Sequence, residues 1–363
     1  MASARQVSEI DVSPISTTFA CSFCQAPAAR STCSKCAAIR YCSKECQAAQ
    51  WPAHKEMCKV IKNMRADTKR EAAPLRRYRG VMGRETPYNL FKSADEIGDF
   101  WGYHDPRDYC KTRYFLAQAL HKCGTENNSK LALELATEHV LDLLWMCRGD
   151  NLGARYVLPT FLIDQDRLQE SYDLIKWWQT CDPDGRYDWG NLSLPYLNLC
   201  GEDMLESLEE LKLDKFAECR TLMSLALIKL RLKAQLTAES TAEKSRFDTL
   251  VLGTHCEVSP LSKIGGCVPV LHQIQKHAVT DKVKSKLAKL DYQITELVKR
   301  MNKANKYLIP AMFNPDKILV QEPPQYVSGG SMEEVWSALQ EGVFSWQQTD
   351  GAMEELRRIY KNL

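Results

Sequence analysis

The stretch CSFCQAPAARSTCSKCAAIRYCSKECQAAQWPAHKEMC, residues 21–58, decides how the rest of the chain is read. It holds seven cysteines and one histidine at fixed steps. Cys21 and Cys24 form one C-x2-C pair, Cys33 and Cys36 a second, Cys42 and Cys46 a C-x3-C pair, and His54 and Cys58 an H-x3-C pair. Eight donors suit two tetrahedral sites, and Zn²⁺ is the ion that prefers four thiolate or imidazole ligands. C-x2-C lets two sulfurs of one tight turn reach the same ion. The wider pairs place donors about one helical turn apart on one face, so Cys42/Cys46 and His54/Cys58 are each expected on a short helix. The spacing leaves open which pairs share an ion. A segment this short has almost no core, so ligation is expected to supply its folding free energy. The leading residues show no basic n-region followed by an apolar h-region, so a secreted, disulfide-bonded reading is not expected.

The match goes beyond the cysteines. Arg40-Tyr41-Cys42-Ser43 and Cys46-Gln47 lead on to Trp51 and His54, and the whole stretch closely resembles the MYND zinc finger. The resemblance implies an interleaved arrangement, with Cys21, Cys24, Cys42 and Cys46 on one zinc and Cys33, Cys36, His54 and Cys58 on the other. It also implies a protein-binding module that docks short proline-rich peptides over Ser34, Gln47 and Trp51. Trp51 equally suits a packing role between zinc-bound helices. The resemblance covers about a tenth of the chain.

The remaining sequence bounds the rest. The 363 residues suffice for a small module and one or two larger domains, and the 44% hydrophobic content is ordinary for a globular protein. A net charge of +2 gives no global electrostatic case for nucleic acid or membrane. Eight further cysteines (110, 123, 147, 181, 200, 219, 256 and 267) are spread singly and read as ordinary thiols of a reducing compartment. No apolar run approaches the roughly 18–20 residues that span a bilayer. A soluble intracellular protein, cytoplasmic or nuclear, is expected, of undetermined oligomeric state.

Along the chain, residues 1–19 are rich in Ser, Thr and Ala and are expected to be disordered. The finger occupies 20–60. A basic linker or helix, 61–86, follows, and Lys59 to Arg79 carries a local net charge of +6. That charge reads as a solvated helix interrupted near Pro74, or as an import signal or acidic-partner patch. Residues 87–314 read as one all-α domain with possible tetratricopeptide-like helical pairs. Pro106 opens a helix capped by Asp105 and ended by Gly124. Ser129–Cys147 is strongly amphipathic and places His139 near its apolar face as a satisfied core histidine. Residues 151–181 read as two helices joined by the turn Asp164–Asp166, the unit of a helical repeat, with Trp177 and Trp178 as core residues. Glu202–Gln235 reads as one long helix, Thr237–Lys263 as irregular, and 268–278 as a short helix. In Asp281–Leu308, Val283, Leu287, Leu290, Ile294, Leu297, Met301 and Leu308 form a heptad seam broken only at Ala304, suited to packing within the domain or to a coiled-coil partner. Residues 315–363 read as a linker and C-terminal helices packing on the helical domain, with Ser331 and Glu334 as a capping box. The finger, the Leu174–Trp178 segment and the terminal helix together look like fungal MYND-finger proteins with an all-helical body, a resemblance that brings no activity with it.

Two rival readings compete with this one. MYND-containing lysine methyltransferases carry a largely β SET domain with N-H-x-C and G-E-E-L type segments; neither occurs here. G-x-S-x-G, H-E-x-x-H, P-loop and G-x-G-x-x-G patterns are also absent, so no enzyme is expected. A methyltransferase relative lacking its SET domain stays as an alternative. A nucleic-acid-binding factor is disfavoured, because the zinc-loaded finger is near neutral and no recognition helix follows it. The expectation is an adaptor for protein partners, with transcriptional regulation as one setting, in which losing one finger ligand such as Cys42 unfolds the finger and leaves the helical body intact.

Overall fold

The computed structural model describes residues 7–27, 29–80, 86–93, 96–213, 218–246 and 281–363. The described residues form eleven α-helices and one two-stranded sheet. The chain divides into two compact units, one of residues 1–165 with 187–196 and one of 166–186 with 197–363. The fold is an N-terminal finger followed by a largely helical body, as expected. The division within the body differs from the single 87–314 domain.

In the first unit, β1 (Ser31–Thr32) pairs antiparallel with β2 (Arg40–Tyr41). The chain then enters α1, Lys44–Leu75, a single helix of 32 residues. Ser43 starts it, its hydroxyl accepting from the Cys46 N–H at 3.3 Å. Its buried residues Gln50, His54, Cys58, Ile61, Thr68, Ala72 and Leu75 recur at steps of three, four and seven, which is one helical stripe. The two short helices and separate basic linker expected here are therefore one element. The stripe continues without a break past residue 60, and Lys59, Lys62, Lys69 and Arg70 lie on its exposed faces. Against α1 packs α2 (Pro106–Glu126), then α3 (Lys130–Met146) on α2 and α4 (Ala154–Ile163) on α3.

Gly124 does not end α2. It lies two residues before the last helical residue, and a Cβ there would sit 2.6 Å from Leu133 Cγ. It is the point where α3 approaches closely. Asp105 sits at the N-cap of α2 without a side-chain capping bond. His139 is fully buried, and among the described residues neither ring nitrogen has a hydrogen-bond partner.

The described part of residues 1–19 is also ordered. Ile10 and Phe19 are buried, and Ser8 and Ser16 donate backbone N–H bonds to Asp142 Oδ2 (3.0 Å) and Glu134 Oε2 (2.8 Å). Arg113, wholly buried, pairs with Asp142 at 2.6 Å and donates to the Ser8 carbonyl at 2.6 Å. Low hydrophobicity suggested disorder, but this strap is held by pairing its polar groups with buried charges on α2 and α3.

The second unit holds α5 (Leu168–Thr180), α6 (Cys219–Arg246), α7 (Asp281–Ala304), α8 (Leu308–Met312), α9 (Asp316–Leu319), α10 (Met332–Gln347) and α11 (Ala352–Tyr360). The expected 151–181 helix pair is split by the unit boundary, since α4 packs on α3 and α5 on α6. The helix expected from Glu202 begins only at Cys219; residues 202–212 turn repeatedly, with Lys212 at a φ of 48°. The heptad seam of α7 is used within the unit: Leu290, Ile294, Leu297 and Met301 are buried and α6 packs on α7. No coiled-coil face is left open by those positions. α10 packs on α6 and α8, and α11 on α7. Ser331 accepts from the Glu334 N–H (3.2 Å), while Glu334 reaches the Gly330 N–H (2.7 Å) rather than that of Ser331. Cys256, Cys267 and the 268–278 helix lie outside the described residues. Among the described residues no helix is long and apolar enough to cross a membrane.

Candidate metal centre

Each C-x2-C pair sits in a tight turn of the same construction. Cys21 N–H donates to the Ala26 carbonyl at 2.8 Å and Gln25 N–H to the Cys21 carbonyl at 2.8 Å. Cys33 and Ala37 repeat this, with Cys33 N–H on Ile39 O and Ala37 N–H on Cys33 O, both at 2.9 Å. The residue after each second cysteine is left-handed, with φ of 57° at Gln25 and 54° at Ala37. That conformation curls the backbone so that both sulfurs face one point. β1 leads into the second turn and β2 leaves it, antiparallel to β1, which delivers Cys42 back to the first turn. α1 then supplies Cys46 to the first site and His54 and Cys58 to the second.

The donor atoms fall into two groups, each within 4.8 Å: Cys21, Cys24, Cys42 and Cys46, and Cys33, Cys36, His54 and Cys58. The edges have the right length for zinc. Metal–sulfur bonds of about 2.3 Å and metal–nitrogen bonds of about 2.0–2.1 Å give tetrahedral edges of about 3.8 Å between sulfurs and about 3.6 Å from sulfur to nitrogen. Here Cys24–Cys42 and Cys42–Cys46 are each 3.5 Å apart, Cys33–Cys58 is 3.7 Å, and Cys36 Sγ to His54 Nε2 is 3.4 Å.

The chemistry of the donor set also fits. Burial works to raise the Cys21 thiol, but N–H groups of Cys24, Cys42 and Phe23 outweigh it and bring it down to about 6. Its neighbour Cys42 is pushed up to about 12, chiefly by hydrogen bonding with Cys46. Burial pushes Cys36 and Cys58 up, with the Cys33 charge beside them adding to it. Thiolates this close cannot all ionise beside one another alone, and a dication resolves that repulsion. Burial keeps the His54 imidazole neutral, its pKa lowered, as a metal ligand must be. The second site is wholly buried, whereas Cys24 of the first is exposed.

Several supporting residues were not singled out in the sequence. Arg65 Nε donates to the Cys36 carbonyl at 3.1 Å and sets a positive charge beside the second site. Its position seven residues past Cys58, on the same helix face, is legible only once α1 is known to be continuous. Gln50 Nε2 bridges the Ser22 and Asn127 carbonyls, both at 3.4 Å, and Ser129 Oγ donates to the Ala38 carbonyl at 2.8 Å. These bonds seat the finger against α2 and α3. The expected peptide residues lie elsewhere on it. Ser34 is exposed, Gln47 and Trp51 are half-buried one turn apart on α1, and Lys35 Nζ stands 5.1 Å from the Trp51 ring centre.

Comparison with known proteins agrees with this geometry. The family model described as "MYND finger" matches residues 21–58. The Dauer abnormal formation protein 25 of Caenorhabditis elegans is 41% identical over 54 residues, a match covering 15% of this chain and 12% of that protein. No solved structure matches. Residues 21–58 are a MYND zinc finger, carried on the first helix of a largely helical body.

Proposed function

We propose that the protein is a non-enzymatic adaptor whose finger, loaded with two Zn²⁺, docks proline-rich peptides on a surface centred on Trp51. The observation that carries this reading is the orientation of the finger within its unit. Gln50 and Ala38 face α2 and α3, while Ser34, Gln47 and Trp51 stay accessible on the outside. A half-exposed indole on a rigid helix offers a large apolar contact at little conformational cost, and Lys35 beside it supplies a positive rim. MYND fingers generally mediate protein–protein interaction, and a proline-rich ligand arrives with its extended conformation already formed. The helical body would offer a second protein surface, with transcriptional regulation as one setting.

The test is calorimetric titration of the full-length, zinc-loaded protein with a set of proline-rich peptides. Truncating a central tryptophan typically removes about 2 kcal/mol or more, roughly 30-fold in affinity. Trp51→Ala is therefore expected to weaken binding at least that far with both zincs retained. Unchanged affinity would place the groove elsewhere.

A further inference from the structure

Between α9 and α10 runs the segment Gln321-Glu322-Pro323-Pro324-Gln325-Tyr326-Val327. Tyr326 is 85% exposed, the highest value of any large apolar side chain among the described residues. The segment is fixed at both ends and open between them. Trp336 Nε1 donates to the Gln321 carbonyl at 3.2 Å, and Ser331 N–H donates to the Ser328 carbonyl at 3.2 Å. From residue 322 to 327 no backbone hydrogen bond is made among the described residues.

The sequence dictates the conformation. Two prolines fix φ near −65° at 323 and 324, and Pro323, itself followed by proline, is pushed to an extended ψ. That is polyproline II, with three residues per turn, which puts positions 323 and 326 on one edge. Every residue of the segment is exposed, Pro323 and Tyr326 included, except Pro324, which is half-buried beside a cavity of about 380 Å³ that Met332, Glu333 and Trp336 help to line. The backbone bends at Gln325, so a partner must straighten it.

We propose that Pro323–Tyr326 is a docking motif for a domain that reads polyproline II through an aromatic-walled groove, of the WW rather than the SH3 kind. An SH3 groove reads prolines three residues apart. Here the position three residues after Pro323 is tyrosine, so the reader needs a proline slot and, one turn on, a pocket for a phenol. Residues 319–336 expose two acids, Glu322 and Glu333, and carry no Lys or Arg, so the reader's rim is basic. The motif stands independently of the finger's reading.

The experiment uses the full-length, zinc-loaded protein against a panel of isolated WW and SH3 domains by biolayer interferometry. At least one WW domain should bind, and Tyr326→Ala and Pro323→Ala should each weaken it more than tenfold. Trp51→Ala should leave that binding unchanged. The proposal is overturned if no WW domain in the panel binds, if binding survives Tyr326→Ala, or if only SH3 domains bind. It is also overturned if the segment instead drives self-association that Trp51→Ala abolishes, since the finger of a second copy would then be the reader.

Discussion

Replacing Cys58 by serine should damage far more than one zinc site. Cys58 lies on the buried stripe of α1, between His54 and Ile61, and belongs to the site whose four ligands are all buried. A structural zinc contributes about 10–16 kcal/mol in isolated fingers, against about 5–15 kcal/mol for the whole stability of a typical domain. Weakening this site therefore threatens everything that α1 holds. With 32 residues beside the 21, 17 and 10 of α2, α3 and α4, α1 is about two-fifths of the first unit's helix. Cys24, by contrast, is an exposed ligand in the turn before the sheet. Zinc should be counted by atomic emission, helix by circular dichroism at 222 nm, and protection by hydrogen exchange across residues 61–75. Cys58→Ser should lose zinc, helix and protection in both α1 and α2, with α5–α11 unaffected. Cys24→Ser should lose zinc while residues 61–75 stay protected. If Cys58→Ser keeps wild-type protection at 61–75 with its zinc gone, the coupling argued here is wrong. The sequence-level expectation of an independent finger would then stand.

Three further outcomes follow from the first unit's core. Gly124→Ala should destabilise by about 1–3 kcal/mol in urea unfolding, because crowding Leu133 Cγ at 2.6 Å outweighs the roughly 1 kcal/mol that alanine gains in helix propensity; stabilisation would contradict the close approach of α3. Arg113→Met leaves the Asp142 carboxylate buried without its counter-charge and should cost about 3–5 kcal/mol, much of it restored by adding Asp142→Leu, with proteolysis after residue 7 accelerating in the single variant; additive losses would refute the pairing. His139 is held neutral in the fold, its pKa well below the ordinary value, first by burial and then by Arg113 and Arg65. The unfolded chain takes up that proton below about pH 6.5 and the folded chain does not, so wild-type stability falls with acid by up to about 1.4 kcal/mol per pH unit relative to His139→Leu. The comparison at matched pH cancels the acid sensitivity of the zinc ligands, and parallel profiles would sink the idea.

Much of the site was legible because ligand chemistry is local. A C-x2-C turn and an H-x3-C step constrain geometry within a few residues, whatever the rest of the chain does. The helical character of the body was legible for a similar reason, since periodicity reports an apolar face. What was hidden depended on which face meets what. The apolar stripe of α1 passes through two ligands, so His54 and Cys58 were read as metal donors and their continuity with Ile61, Thr68 and Leu75 was missed. The 7–19 strap was hidden because its order comes from Asp142, Glu134 and Arg113, more than a hundred residues away. Gly124 was misread because a helix-ending glycine and a close-packing glycine look alike until the neighbouring helix is placed.

The continuity of α1 also bears on the proposed peptide surface. Gln47 and Trp51 stand on the same helix as the second site's ligands and the Ile61–Leu75 stripe. A peptide docking there meets a surface held by zinc on one side and by α2 and α3 on the other, so little is left to be ordered on binding. An isolated fragment ending at residue 60 cuts α1 halfway, removes Arg65 from the Cys36 carbonyl, and takes Asn127 from Gln50 and Ser129 from Ala38. Such a fragment should still take up two zincs, since all eight ligands are present. It should bind a proline-rich peptide several-fold more weakly than the full chain and show faster exchange at residues 47–58. Equal affinity in fragment and full chain would mean that the helical body does not preorganise the peptide surface, and that zinc alone sets the position of Trp51.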